Sequence, residues 1–119
     1  MKLLFVGDVM LGRLVNQALK ARPPEYPWGN TLDVFRSADV RFCNLECSLS
    51  DRGVRRSPET KAFHFRSDAR NVEVLKRAGI DAVSLANNHI LDFDETALTD
   101  TLDILDRNRI CHAGAGRNA

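Results

Sequence analysis

The chain has 119 residues, of which 44% are hydrophobic and 28% are charged, and this composition is that of an ordinary globular domain. It argues against the disordered and membrane-embedded classes of protein. Seventeen basic and sixteen acidic side chains leave a formal net charge of +1, so no strong field favours nucleic acid or an anionic membrane. We therefore predict a single domain, residues 1–119, with no nucleic-acid partner.

The first residues carry one Lys and a short apolar run that ends at Asp8. This run is too short for a signal-peptide core or a membrane span, so we predict a cytoplasmic protein with no membrane segment in this chain. The cysteines Cys43, Cys47 and Cys111 form no CxxC pair, which is typical of reduced thiols. Cys43 and Cys47 are spaced for part of a metal site, but no second pair supports one.

Apolar runs and helical spacings alternate along the chain. The patterns predict strands over residues 2–6, 39–45, 61–65, 80–86 and 110–113, and helices over residues 11–19, 31–38, 68–78 and 95–107. A proline cluster at residues 22–27 and a polar stretch at residues 48–59 predict loops. Alternating strands and helices favour an α/β fold with a layered, parallel sheet and right-handed crossovers.

Polar side chains follow three of the predicted strands. Asp8 follows the first strand, Glu46 the second, and Asn88 and His89 the fourth. Because parallel strands end at the same edge of a sheet, and ligands bind beyond that edge, we expect these side chains to converge. Carboxylate, amide and imidazole groups are the ligand set of Mg, Mn, Zn and Fe, so the sequence predicts a divalent-metal site.

Each residue of this set has a predicted role. Asp8 and Glu46 supply negative charge to the metal, and the Asn88 side-chain oxygen coordinates it without adding charge. His89 donates a proton to a leaving oxygen or steadies the charge of a phosphoryl group. Asp92 hydrogen-bonds the imidazole and fixes its tautomer.

Structural interpretations of the same residues remain open. Asp8 is equally suited to capping the helix that follows it, and the Glu46 side chain is also compatible with a position in solvent. Asn87 and Asn88 are typical residues of a tight turn. A single histidine such as His89 is more often structural than catalytic.

Five blocks of the sequence resemble a known family. They are FVGDVMLGR at 5–13, CNLECSLSD at 43–51, KAFHFR at 61–66, GIDAVSLANNHILDF at 79–93 and HAGAGRN at 112–118. In this order they are similar to the bacterial capsule-synthesis family named for the poly-gamma-glutamate biosynthesis protein CapA. That family in turn resembles the calcineurin-like metallophosphoesterases, in which a four-layer αββα sandwich carries two metal ions beyond the strand ends.

The resemblance implies a fold similar to the N-terminal half of that sandwich. It implies that Asp8 is the first metal-binding aspartate, although Met10 stands where a histidine is usual. Asn44 or Glu46 falls near the aspartate that bridges the two metals. The histidines that complete the phosphoesterase site late in the domain have no counterpart here, so we expect a domain truncated at its C-terminus.

For the Asn-His pair, the resemblance implies that Asn88 is a metal ligand and that His89 faces the phosphate. The first functional hypothesis is therefore a metal-dependent hydrolase acting on an anionic polymer or a phosphorylated substrate. The second is a non-catalytic protein of polymer handling or assembly that keeps the fold. A third hypothesis, a nucleotide-binding module, rests only on Gly114-Ala115-Gly116 and the predicted sheet. A half-built sheet with an exposed apolar edge also predicts self-association.

Overall fold

A four-stranded sheet organises the computed structural model, which describes residues 1–118. The predicted domain ends at Ala119, which lies outside the described residues. The strands are β1 (Leu3–Val9), β2 (Val40–Leu45), β3 (Ser48–Leu49), β4 (Arg66–Ser67), β5 (Ala82–Ser84) and β6 (Cys111–Ala113). The helices are α1 (Arg13–Ala18), α2 (Leu32–Arg36), α3 (Val72–Arg77) and α4 (Asp94–Arg107), and 3₁₀ turns at Gly29–Thr31 and Ala69–Asn71 precede α2 and α3.

The main sheet has the strand order β1-β2-β5-β6, and every pair of neighbouring strands in it is parallel. Parallel neighbours need a crossover connection, and helices supply these crossovers here. The short strands β3 and β4 form a separate parallel pair. The predicted α/β class with a parallel sheet is therefore confirmed.

The core lies on the helical face of the sheet. Cys43 and Leu45 of β2, and Val83 of β5, are buried in one cluster with residues of α3 and α4. Leu75 of α3 and Leu105 of α4 have no exposed surface, and burying such a side chain contributes about 1.5–3 kcal/mol to folding. These side chains fix the sheet against the helices and so fix where its strands end.

The opposite face of the sheet is largely open. Phe5 remains 69% exposed and stacks on Phe42 of the next strand, with 4.9 Å between the ring centroids. Cys111 and Ala113 on the edge strand are also exposed. Parallel sheets usually have both faces covered, so this "open face" (Phe5, Phe42, Ala82, Cys111 and Ala113) is an unusual surface.

An irregularity in the register of β1 decides the position of Asp8. Phe5 pairs with Phe42 and Asp8 pairs with Asn44, so three steps along β1 match two steps along β2. The extra residue is a β-bulge, which brings Asp8 to the same face as Phe5. The predicted end of the first strand at residue 6 was wrong, because β1 continues through Asp8 to Val9.

The predicted strand at residues 61–65 was also wrong. The segment lies against the turn at residues 88–92 instead of a strand: Phe65 donates its backbone N–H to the Asp92 carboxylate at 2.8 Å, and Lys61 contacts the same carboxylate. The strand begins one residue later, at Arg66. The four predicted helices are present, although Leu14 of the first helix is 76% exposed and does not join the core.

No helix within residues 1–118 has the combination of length and apolar character that crossing a bilayer requires. The longest, α4, has 14 residues and carries charged side chains along its outer surface.

Candidate functional site

Three polar side chains lie side by side at the carboxyl ends of neighbouring strands. Asp8 of β1 is in register with Asn44 of β2, and Asn44 is in register with Ser84 of β5. Asn44 donates a hydrogen bond from Nδ2 to Oδ1 of Asp8 at 2.8 Å. The row faces the open side of the sheet because Asn44 alternates with the buried residues Cys43 and Leu45.

Asn87 connects this row to the turn that follows β5. Its Nδ2 donates to Oδ1 of Asn44 at 3.0 Å and to the Leu45 carbonyl at 2.9 Å. Its Oδ1 accepts the backbone N–H of His89 at 3.1 Å, which is the local turn that asparagine favours. From the sequence, Asn87 was predicted only as a turn residue. The sequence feature that could have assigned Asn87 to the site is its position as the first Asn of the Asn-Asn-His run.

His89 and Asp92 form a buried pair. His89 is 7% exposed and Asp92 is 2% exposed, and Nδ1 of His89 lies 2.6 Å from Oδ2 of Asp92. The ring of Phe65 stacks on the imidazole with 4.0 Å between centroids. Because Asp92 occupies Nδ1, the other ring nitrogen, Nε2, is the one left for an external partner.

Lys61 contacts the Asp92 oxygen that His89 does not contact. Its Nζ contacts both Oδ1 of Asp92 and the backbone carbonyl of Asn88. Beside it lies a hollow of about 300 Å³, which is called here the "basic hollow" and is lined by Arg56, Ser57, Lys61, Asn88, Leu91 and Asp92. Hydrogen bonds therefore run from Asp8 through Asn44 and Asn87 to the backbone N–H of His89. From the ring of His89 they continue through Asp92 to Lys61.

The side chains of Glu46 and Asn88 take no part in these hydrogen bonds. Glu46 lies just beyond β2, half-buried, and its backbone N–H donates to the Val9 carbonyl at 2.9 Å. Within residues 1–118 its carboxylate makes no hydrogen bond. Asn88 is exposed, and it lines the basic hollow.

The donor set around Asp8 suits a hard divalent ion only in part. Asp8, Asn44 and Glu46 present oxygen atoms, which Mg²⁺ and Mn²⁺ prefer. However, residues 1–118 contain no group of three or more His, Cys, Asp or Glu side chains arranged to hold a metal. Met10, at the position where a histidine was expected, accepts the Gly12 N–H through its sulfur at 3.0 Å. These residues supply fewer ligands than the six or more that such ions take.

The cysteines do not complete the donor set. Burial raises the pKa of both Cys43 and Cys47 to about 12, with Cys43 further raised by its neighbour Cys47. At neutral pH both are therefore protonated thiols, whereas metals bind the thiolate. Their side chains belong to the helical core, on the opposite side of β2 from Asn44.

The fold and the row at its strand ends define a parallel α/β protein, consistent with part of a metallophosphoesterase-like domain. The family model described as bacterial capsule synthesis protein matches residues 2–119. The chain belongs to that family.

Individual relatives agree with this assignment. The chain is 27% identical over 112 residues to the PGA biosynthesis protein CapA of Bacillus subtilis, with 94% of this chain and 29% of the relative covered. It is 27% identical over 115 residues to the capsule biosynthesis protein CapA of Bacillus anthracis, covering 95% and 28%. It is 32% identical over 143 residues to a probable polyglutamine synthesis accessory protein of Mycobacterium tuberculosis, covering 92% and 37%. The chain thus spans less than a third of the length of the two Bacillus relatives.

Proposed function

We propose that this protein acts in capsule or poly-gamma-glutamate biosynthesis, as a metal-dependent hydrolase of an anionic substrate. The observation that carries the proposal is the series of hydrogen bonds from the Asp8 carboxylate through Asn44 and Asn87 to the backbone N–H of His89, whose ring pairs with the buried Asp92. It links an anionic, ion-binding row with an imidazole held by a carboxylate. A bound metal ion and a positioned imidazole are two groups that accelerate hydrolysis of a phosphate or acyl bond.

The ion-binding part of the proposal assigns Asp8, Asn44 and Glu46 as oxygen ligands, with Asn88 as a further one. Mg²⁺ and Mn²⁺ fit this set better than Zn²⁺ or Fe²⁺, because the assigned ligand atoms are all oxygens. When bound, the ion supplies Lewis-acid polarisation of the scissile group. Further ligands must come from water or substrate, since the side chains are too few to fill the coordination shell.

The proton-transfer part of the proposal assigns His89 as the acid. Its Nε2 donates a proton to the leaving oxygen of a phosphoester or the leaving nitrogen of a γ-glutamyl amide, while Asp92 holds Nδ1–H and stabilises the positive ring. The stacked Phe65 ring keeps the imidazole in one plane and limits water on that side.

The substrate class follows from the charges beside this pair. Arg56 lines the basic hollow, and within the described residues its guanidinium makes no hydrogen bond to another side chain. Lys61 is already bound to Asp92, so Arg56 is the cation available to a substrate. A guanidinium binds carboxylates and phosphates well, which favours a polyglutamate-like or phosphorylated substrate.

The proposal is tested with Asp8→Ala and His89→Ala. We expect the wild-type protein to bind Mn²⁺ and to hydrolyse a generic phosphoester or a γ-glutamyl amide. His89→Ala should lower kcat by about 10²–10⁴-fold, the usual contribution of a general acid. Asp8→Ala should weaken Mn²⁺ binding, measured by calorimetry, as well as turnover.

His112→Ala is the matched control, because His112 also pairs with an aspartate, at 2.9 Å from Asp106, but this aspartate belongs to α4 and not to the row. It should leave metal binding and turnover unchanged. Circular dichroism checks that each variant is folded. Absence of both metal binding and turnover in the wild-type protein would contradict the proposal.

A non-catalytic role in polymer handling or assembly is the second candidate. Met10 in place of a histidine and the lack of a three-ligand cluster within residues 1–118 favour it. In that case the protein would bind poly-gamma-glutamate without cleaving it, and the Arg56→Ala variant would weaken binding while Asp8→Ala would not.

A further inference from the structure

We propose that Lys61 is a positioning residue for His89: it holds the Asp92 carboxylate and the Asn88 carbonyl in one geometry and thereby aims Nε2 of His89 at the substrate. The catalytic part of this proposal rests on the proposed function. The structural part, the orientation of the imidazole, stands without it.

The contacts of Asp92 divide between its two oxygens. Oδ2 accepts from Nδ1 of His89 at 2.6 Å and from the Phe65 N–H at 2.8 Å. Oδ1 is contacted by Nζ of Lys61, which is its only side-chain partner within residues 1–118. Lys61 therefore holds the second oxygen of the carboxylate, while His89 and Phe65 hold the first.

The burial of Asp92 makes its contact with Lys61 important for stability. Asp92 is 2% exposed, and a buried carboxylate without a compensating charge is strongly unfavourable. Lys61 supplies the compensating positive charge whether or not His89 carries a proton. Without Lys61, the carboxylate would have to turn toward water or admit water, and the imidazole bound to it would move as well.

The second contact of Lys61 is with the backbone of the turn that carries His89. Its Nζ reaches the Asn88 carbonyl, one residue before His89, so one ammonium group fixes both ends of the segment that carries the imidazole. The Arg56 N–H, donating to the Asp92 carbonyl at 2.8 Å, adds a main-chain contact between the two segments. The residues from Arg56 to Phe65 thus act as an outer support for the turn.

The functional test uses Lys61→Met, which keeps the length of the side chain and removes its charge. We expect kcat to fall about 10- to 100-fold with KM little changed, because small misplacements of a reacting group are costly. Lys61→Arg, which keeps the charge, should recover most of the loss. A rise in KM alone would assign Lys61 to substrate binding and overturn the proposal.

Lys76→Met is the matched control. Lys76 also pairs with a carboxylate, at 2.7 Å from Glu73, but on the exposed surface of α3. This variant should have wild-type kcat and KM. A loss equal to that of Lys61→Met would show that the effect is unspecific and would overturn the proposal.

The structural test needs no turnover. In ¹⁵N-histidine NMR, the hydrogen-bonded Nδ1–H of His89, assigned by its loss in His89→Gln, should be shifted or broadened in Lys61→Met and unchanged in Lys76→Met. An unchanged signal in Lys61→Met would overturn the proposal even if the wild-type protein is active. A shifted signal in an inactive wild-type background would support the positioning role while the hydrolase proposal failed.

A folding defect in Lys61→Met would not end the test. The double variant Lys61→Met/Asp92→Asn leaves no unpaired buried charge, so it should recover the fold. Failure of the double variant to recover the fold would contradict the charge-compensation argument on which the proposal depends.

Discussion

At the scale of single residues, the candidate site depends on an asparagine that was not assigned to it. Asp8, Asn44, His89 and Asp92 were singled out because their functional groups suit metal binding or proton transfer. Asn87 makes three hydrogen bonds that join the strand-end row to the turn of His89. Its function is to position other groups, and a sequence pattern identifies ligand chemistry more readily than positioning.

Asn87→Ala should therefore destabilise the protein. Loss of three hydrogen bonds from a half-buried side chain should lower the free energy of unfolding by about 1–3 kcal/mol, because the carbonyl of Leu45 loses its side-chain donor. Urea denaturation measures the change. Asn88→Ala is the matched control and should shift stability by less than about 0.5 kcal/mol, since Asn88 is exposed. Equal effects of the two substitutions would contradict this account of the turn.

At the scale of secondary-structure elements, the sequence predicts most of the strands and helices but not the details of their register. The apolar runs of β2 and β5 and the helical stripe of α4 are strong local patterns, so those elements were found. The bulge in β1 and the irregular course of residues 61–65 depend on partners distant in the chain, Asn44 and Asp92. No local pattern reports such partners, and therefore the first strand was ended too early and a strand was predicted where there is none.

The sequence Gly114-Ala115-Gly116 gives a test at this scale. Gly114 has φ of +96°, and a Cβ atom there would lie 2.5 Å from the Ala86 backbone nitrogen and 2.6 Å from its Cβ. The glycine is thus explained by the close approach of the chain after β6 to the end of β5, without invoking a phosphate. Gly114→Ala should lower the free energy of unfolding by roughly 2 kcal/mol or more.

Gly116→Ala is the internal control for that substitution. The nearest atom to a Cβ at Gly116 is the Asn118 carbonyl oxygen at 3.6 Å, and the backbone is not in the left-handed region. Thermal melting should show a change of a few degrees or less for Gly116→Ala and a clearly larger drop for Gly114→Ala. The reverse order would contradict the described packing of Gly114 on Ala86.

At the scale of the whole molecule, the open face is the main departure from a typical parallel α/β protein. Its aromatic pair, Phe5 and Phe42, and the exposed edge residues Cys111 and Ala113 form an apolar surface next to the Asp8–Asn44 row. Exposed apolar surface of this kind promotes association. Self-association, which the sequence also predicted, stays a prediction. The cytoplasmic location predicted from the sequence stays a prediction as well.

Phe5→Ser tests the open face. It should reduce the fluorescence of a hydrophobic dye bound to the native protein and reduce concentration-dependent association in sedimentation experiments, because Phe5 is 69% exposed at the centre of this surface. Phe63→Ser is the control, as Phe63 is similarly exposed, at 55%, but belongs to the irregular segment near Arg13. A larger effect of Phe63→Ser on either measurement would contradict the prediction.

The all-parallel strand order also has a consequence for the timing of folding during synthesis. No two neighbouring strands of the main sheet are joined by a hairpin, and Asp8 meets Asn44 only across a separation of 36 residues. Such non-local pairings form late, since loop closure must precede them. A chain emerging from the ribosome therefore lacks the Asp8–Asn44 pair until β2 has left the exit tunnel, and lacks the His89–Asp92 pair until the turn after β5 has followed.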